Sequence, residues 1–439
     1  DANAIVLGTA DVSGTYEVRS VAGDITDSGT LTIAGASTFI TDATGSNIIL
    51  DSSSNAFSGS VEMNAGDDGA GNEAFGNITF VDSAGVDFAT AANNNGDLFI
   101  NGSTDGAVGG NLSVTATQGN ITDTVALTVS GTTTLTTSAN GALITLNNSS
   151  NGFTGTMTIT TNDDSGNDAH VTIDGGTTAL QIALSTIDGD LTLTSGNASG
   201  ITDTDWVTVG GNFSATTNAN SGVITLDNLA VDGTFTLAPD SNGAVTIVND
   251  DGLTLAASTM GGTFSGTATA GNITQTGTLA ITGTTTLVTS ENNATITLTD
   301  TSNKFGDTGV GRIDLSTQGT TGHVTLVQGD NNGYLDFNAS EVRGNLTVTT
   351  GTGGRVRQYG IITVDGTTDI TAEDGSSNVY WEDYENVLTG AVSMKSHWAK
   401  IKNSKALELG TIDARGLVVI ARGPVTQSGV VKGVTSTSQ

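Results

Sequence analysis

The stretch "GNITQTGTLAITGTTTLVTS" (residues 271–290) carries no charge, no proline and no cysteine, and it alternates Ile, Leu, Val and Ala with Thr. Related text opens at Gly23 ("GDITDSGTLTIAGASTFITD"), Gly119 ("GNITDTVALTVSGTTTLTTS"), Ser199 ("SGITDTDWVTVGGNFSATT") and Gly354 ("GRVRQYGIITVDGTTDITA"). A short form, "GPVTQSG", starts at Gly423. Successive openings lie 96, 80, 72, 83 and 69 residues apart, too irregular for a propeller blade or a helical repeat. Such spacing suits a unit built of several smaller turns with variable loops.

Each unit has further landmarks. The openings are followed by "NIILDSSSNAFSGSVEM" (47–63), "ALITLNNSSNGFTGTMTI" (142–159), "VITLDNLAVDGTFTL" (223–237), "TITLTDTSNKFGDTGVGRIDL" (295–315) and "NVYWEDYENVLTGAVSM" (378–394). Units close on an apolar–x–Gly–x–apolar pattern, as at Ile187, Gly189, Leu191 and Leu193, or Val342, Gly344, Leu346 and Val348. The reading divides the chain into a closing part (1–22), super-repeats at 23–118, 119–198, 199–270, 271–353 and 354–422, and an opening part (423–439).

Runs such as "TLTIA", "TTLTT", "LITL", "MTIT" and "LTLT" have period-two alternation and many β-branched residues. Gly, Asn and Asp separate them, and strands this short need a neighbour above and below. An all-β parallel β-helix supplies it, each strand pairing with its equivalent one turn on, about 4.8 Å away. Val, Ile, Leu, Ala and some Phe are expected inside. Thr, Ser, Asn and Asp are expected outside, with Gly and Asn at corners of positive φ. Turns of roughly 20–25 residues would stack into one elongated rod. A string of β-sandwiches is the competing architecture, but only 5% of residues are aromatic and no Trp precedes Trp206.

Composition excludes several functions. Without cysteine there is neither a disulfide nor thiolate chemistry. The net charge is −32 and residues 1–303 hold a single basic residue, Arg19, which disfavours nucleic acid. Residues 304–439 hold the other 12 basic residues with 14 acidic ones. The charge suits solubility of a long, flat, β-rich surface, or its asymmetry head-to-tail association of like chains; the part-units 1–22 and 423–439 suit such association or a longer polypeptide. No apolar run is long enough to span a membrane as a helix.

The opening phrase, "TSNKF" after it, and the closing Val342–Val348 pattern together resemble the repeat text of filamentous-haemagglutinin-type bacterial exoproteins, over about residues 5–430. The resemblance implies a right-handed parallel β-helix, secreted or on the cell surface, often exported by two-partner secretion. It further implies a role as adhesin shaft, surface filament or biofilm fibre, with a glycan or host surface as partner.

Catalytic chemistry is thin. His170, His323 and His397 are far apart, none beside a plausible Ser or Cys nucleophile, and no enzyme is expected. The rival of another class is a polysaccharide-binding or polysaccharide-degrading β-helix. Its one dense candidate is residues 379–405, where Tyr380, Trp381, Tyr384, His397, Trp398 and Lys400 join aromatic rings to charge. No cofactor is expected beyond Ca2+, which the oxygen-rich turns at Asp67 and Asp68, Asp163 and Asp164, and Asp250 and Asp251 suit by composition, though none is an EF-hand loop.

Overall fold

The computed structural model describes residues 4–66, 76–89, 97–100, 107–162, 166–306, 311–329, 333–372, 377–383 and 385–433. These contain 52 strands, most of them short, and no helix. The chain forms two compact units, residues 1–222 and 223–439. Each unit is a parallel β-solenoid.

The strands form as alternation dictates. In Leu112–Ala116, Leu112, Val114 and Ala116 point inward while Ser113 and Thr115 sit half-buried outside. Most turns repeat the preceding one in register, with shifts between Leu226 and Leu229, Val288 and Asn292, and Val392 and Met394. In the first unit Ile121, Ile144, Val171, Leu191 and Phe213 follow one another turn by turn. In the second the column runs Ile273, Ile296, Val324, Leu346, Thr368 and Val392. All of these are almost fully buried. Each large apolar side chain so stacked contributes about 1.5–3 kcal/mol. Turn length varies: Ile5 to Ile25 spans 20 residues and Ile25 to Ile48 spans 23, whereas Ile78 to Leu112 spans 34.

Two features depart from the sequence reading. Threonine is not only outside. In "GTT" the second Thr faces inward: Thr133, Thr285 and Thr368 are buried, as is Ser37 at the same place. Their hydroxyls have no hydrogen-bond partner. β-Branching fits the strand there, and nothing in the surroundings explains the hydroxyl.

Glycine is the second. Nine described glycines have positive φ, as expected of corners. Others stack in columns for a different reason. A Cβ on Gly131 would lie 2.5 Å from the Gly110 carbonyl oxygen, and one on Gly155 would lie 2.3 Å from that of Gly131. Gly35 and Gly59, and Gly366 and Gly390, repeat the arrangement. Backbones of successive turns approach directly at this corner and leave no room for a side chain.

Candidate binding surface

Side chains close the corners where the strand ladder lapses. Asn55, Asn151, Asn303 and Asn386, from the "SSN", "TSN" and "YEN" landmarks, are buried. Asn151 Oδ1 accepts the Leu127 N–H at 2.7 Å, and its Nδ2 donates to Asp123 Oδ2 at 2.6 Å. Asn55 does the same with Leu31 and Asp27, at 2.9 and 2.6 Å. In the second unit Gln275 and Gln358 replace the aspartates. Asn303 accepts from Leu279 at 3.0 Å and donates to Gln275 Oε1 at 2.8 Å. Asn386 accepts from Ile362 and donates to Gln358, both at 3.0 Å. Gln275, Gln358 and Gln427 each also donate Nε2 to the carbonyl two residues on. The landmarks were visible in the sequence, but nothing in it said that they pair with the "ITD" or "ITQ" of the opening.

One turn later a second side chain caps the next strand. Phe57 N–H donates to Asp82, Phe153 to Thr178, Phe305 to Gln328 and Leu388 to Asn403. Burial pushes the Asp82 carboxyl above its usual range, partly offset by backbone N–H donors led by that of Phe57. At an outer corner, Asp24, Asn47, Asn77 and Asn111 each accept the backbone N–H of the residue one turn ahead. His170 and His323 serve similar corners, their Nδ1 atoms accepting the N–H groups of Asp190 and Asn345 at 2.8 Å. Both histidines are thus placed as hydrogen-bond acceptors of the scaffold.

The aromatic and charged residues predicted as a contact surface divide. Trp381 does not belong to it: the ring is fully buried and packs edge-on to Phe337 with centroids 5.9 Å apart. Alternation explains this, because in Asn378–Trp381 the inward positions are Val379 and Trp381. Tyr380 faces outward, in register with Arg357 one turn before and Lys400 one turn after. Trp398 is 47% exposed, with His397 edge-on beside it. Lys400 Nζ lies 2.8 Å from Glu382. Tyr384 lies outside the described residues.

The same face gains residues that the sequence reading missed. Tyr334 is in register with Arg355, and Asp336 with Arg357. Arg357 Nε donates to Asp336 Oδ1 at 2.7 Å, with a second bond from Nη2. Asp336 is 2% exposed, so this fork holds a buried carboxylate that would be costly to leave alone. The Asp336 bond raises the Arg357 pKa further above its ordinary value. The guanidinium of Arg357 lies 4.0 Å from the Tyr334 ring centroid and 5.6 Å from that of Tyr359. Arg312 covers Tyr359 at 4.1 Å and Arg355 covers Tyr334 at 5.5 Å. Register was the missing signal: "GYLDFN" (333–338) and "RVRQYG" (355–360) set Tyr334 opposite Arg355 and Asp336 opposite Arg357.

Of the predicted metal residues, Asp67, Asp68, Asp163 and Asp164 lie outside the described residues. Asp250 and Asp251 are exposed. Slight local desolvation raises the Asp250 carboxyl above its usual range even so, with Asp251 and Asp232 adding like charge. Asp251 Oδ1 accepts the Gly252 N–H at 2.8 Å, an ordinary turn bond. Among the described residues no three His, Asp or Glu side chains converge to hold an ion. In the first unit a shallow groove is lined by Phe57, Ser58, Gly85, Asp87, Asn120 and Thr122. There Asp87 accepts the Thr122 hydroxyl at 2.9 Å.

A family model described as repeats of unknown function (DUF5649) matches residues 1–64, 75–160, 166–238, 242–310 and 321–395. No curated protein and no solved structure gives a match. Four of the five matched segments contain one complete asparagine clip.

Proposed function

The chain belongs to the family of repeats of unknown function (DUF5649), and from that premise we propose that it is a non-enzymatic structural protein, the shaft of a bacterial surface adhesin or a building block of a surface filament. The observation that carries this reading is what repeats. The buried clip recurs in four matched segments, and stacked glycines join successive turns at a second corner. Repetition is spent on joining turns, as a load-bearing scaffold requires. In this reading the ends of the solenoid continue into like chains or into the remainder of a longer polypeptide. The acidic, Thr-rich exterior and the resemblance to filamentous-haemagglutinin-type repeats support a place outside the cell.

The test is labelling of intact source cells with an antibody raised against residues 119–222. Staining before permeabilisation is the expected result. Staining only after permeabilisation would refute the extracellular shaft.

A further inference from the structure

We infer that the outward face of the second unit around Tyr334 and Tyr359 binds an acidic polysaccharide, a linear polymer carrying a carboxylate on its sugar rings. Arg312, Tyr359, Arg357, Tyr334 and Arg355 form one alternating series, each guanidinium against the next ring at 4.0–5.6 Å. An arginine stacked by its flat face keeps its in-plane N–H groups for a planar acceptor such as a carboxylate. Arg357 spends them on Asp336. Among the described residues no ion pair engages Arg312 or Arg355, although Asp314 lies close enough to feel the charge of Arg312.

Aromatic surface continues the face. Tyr359 is 49% exposed and Trp398 47%. Trp398 is two turns beyond Arg355 in register, through Asn378. The column Tyr334, Arg355, Asn378 and Trp398 rises by about 4.8 Å per turn, with Arg357 in the column beside it. That geometry suits an extended polymer whose C–H faces lie on rings while its carboxylates meet guanidinium edges. Nucleic acid, whose affinity grows with the number of phosphates neutralised, is less well matched, because Asp336 and Glu382 neutralise Arg357 and Lys400.

Isothermal titration of the purified chain with oligomers of polygalacturonate, alginate and hyaluronate tests it. The fully methyl-esterified galacturonate oligomer and oligothymidylate serve as comparisons. At least one acidic oligosaccharide should bind. Arg355→Ala should weaken that binding roughly tenfold, the usual scale for a lost charge-assisted hydrogen bond, and Trp398→Ala should weaken it several-fold. Trp206→Ala, at an exposed tryptophan of the first unit, should leave it unchanged. Three results would each overturn the proposal: no binding of any acidic oligosaccharide, equal binding of the methyl ester, or tighter binding of oligothymidylate. Loss of binding in Trp206→Ala equal to that in Trp398→Ala would do so as well.

Discussion

Exchanging the clip asparagines for aspartate separates the two units by the identity of a single partner. Asn151→Asp turns the donor 2.6 Å from Asp123 Oδ2 into a second carboxylate. Asn303→Asp instead meets Gln275, a neutral amide whose Nε2 already lies 2.9 Å from Asn303 Oδ1 and can donate to the new oxygens. Both variants keep an acceptor for the buried N–H of Leu127 or Leu279. A hydrogen bond to a charged group contributes about 1.5–3 kcal/mol, and leaving a buried group without its partner costs about 1–3 kcal/mol. Like charges so close add further cost until one takes a proton. Asn151→Asp should therefore lower the local opening free energy at Leu127 by about 3–5 kcal/mol at neutral pH. Asn303→Asp should lower that at Leu279 by about 1–2 kcal/mol. Amide hydrogen exchange reads each site separately, and a difference of 2 kcal/mol appears as roughly a thirtyfold difference in protection loss. Acidification should restore Asn151→Asp relative to Asn303→Asp, because two adjoining carboxylates can share one proton. Equal losses at the two sites, or no recovery in acid, would refute the assignment of Asp123 and Gln275 as the deciding partners.

Three further outcomes follow from the core and the corners. Thr285→Val keeps the shape and removes a buried hydroxyl that has no partner, so thermal unfolding should show a gain of about 1 kcal/mol; a loss would mean that the hydroxyl is bonded. Gly131→Ala puts a methyl group 2.5 Å from the Gly110 carbonyl oxygen, and should cost about 1–3 kcal/mol by the same measurement, as overpacking does. Asp82 is held above its ordinary pKa by burial, so its charge destabilises the fold above the raised value. That cost is relieved as pH falls from there towards the unfolded value near 3.9. Asp82→Asn can still accept the Phe57 N–H and should be more stable than wild type at neutral pH, with the gap closing through that window in denaturant titrations; a gap independent of pH would contradict the assignment.

Alternation was sufficient to read the solenoid, because inward and outward positions differ every second residue and the opening phrase repeats. It turned the aliphatic residues of runs such as "LITL" and "LTLT" inward, where Ile144, Leu146, Leu191 and Leu193 lie. It failed where one residue type serves two environments. Thr133 and Thr134 are adjacent in the same phrase, yet only the first faces the core, and composition alone assigned threonine to the surface. Trp381 was grouped with Trp398 because both sit among charges, although alternation within Asn378–Trp381 already turned it inward. The arginine–tyrosine face was illegible for another reason. Arg312, Tyr334 and Arg357 are far apart along the chain, and only the turn register sets them side by side.

The outer corner asks very little of the residue it holds. Asp24, Asn47, His170 and His323 meet the same demand, one lone pair offered to the N–H of the turn above. A joint with so loose a specification is interchangeable: a turn copied from elsewhere in the chain would find a compatible acceptor beneath it and present one to its successor. Repeats of this kind can be duplicated, lost or shuffled by whole turns while the stacking survives. Sequence identity among copies then decays faster than the pattern that joins them.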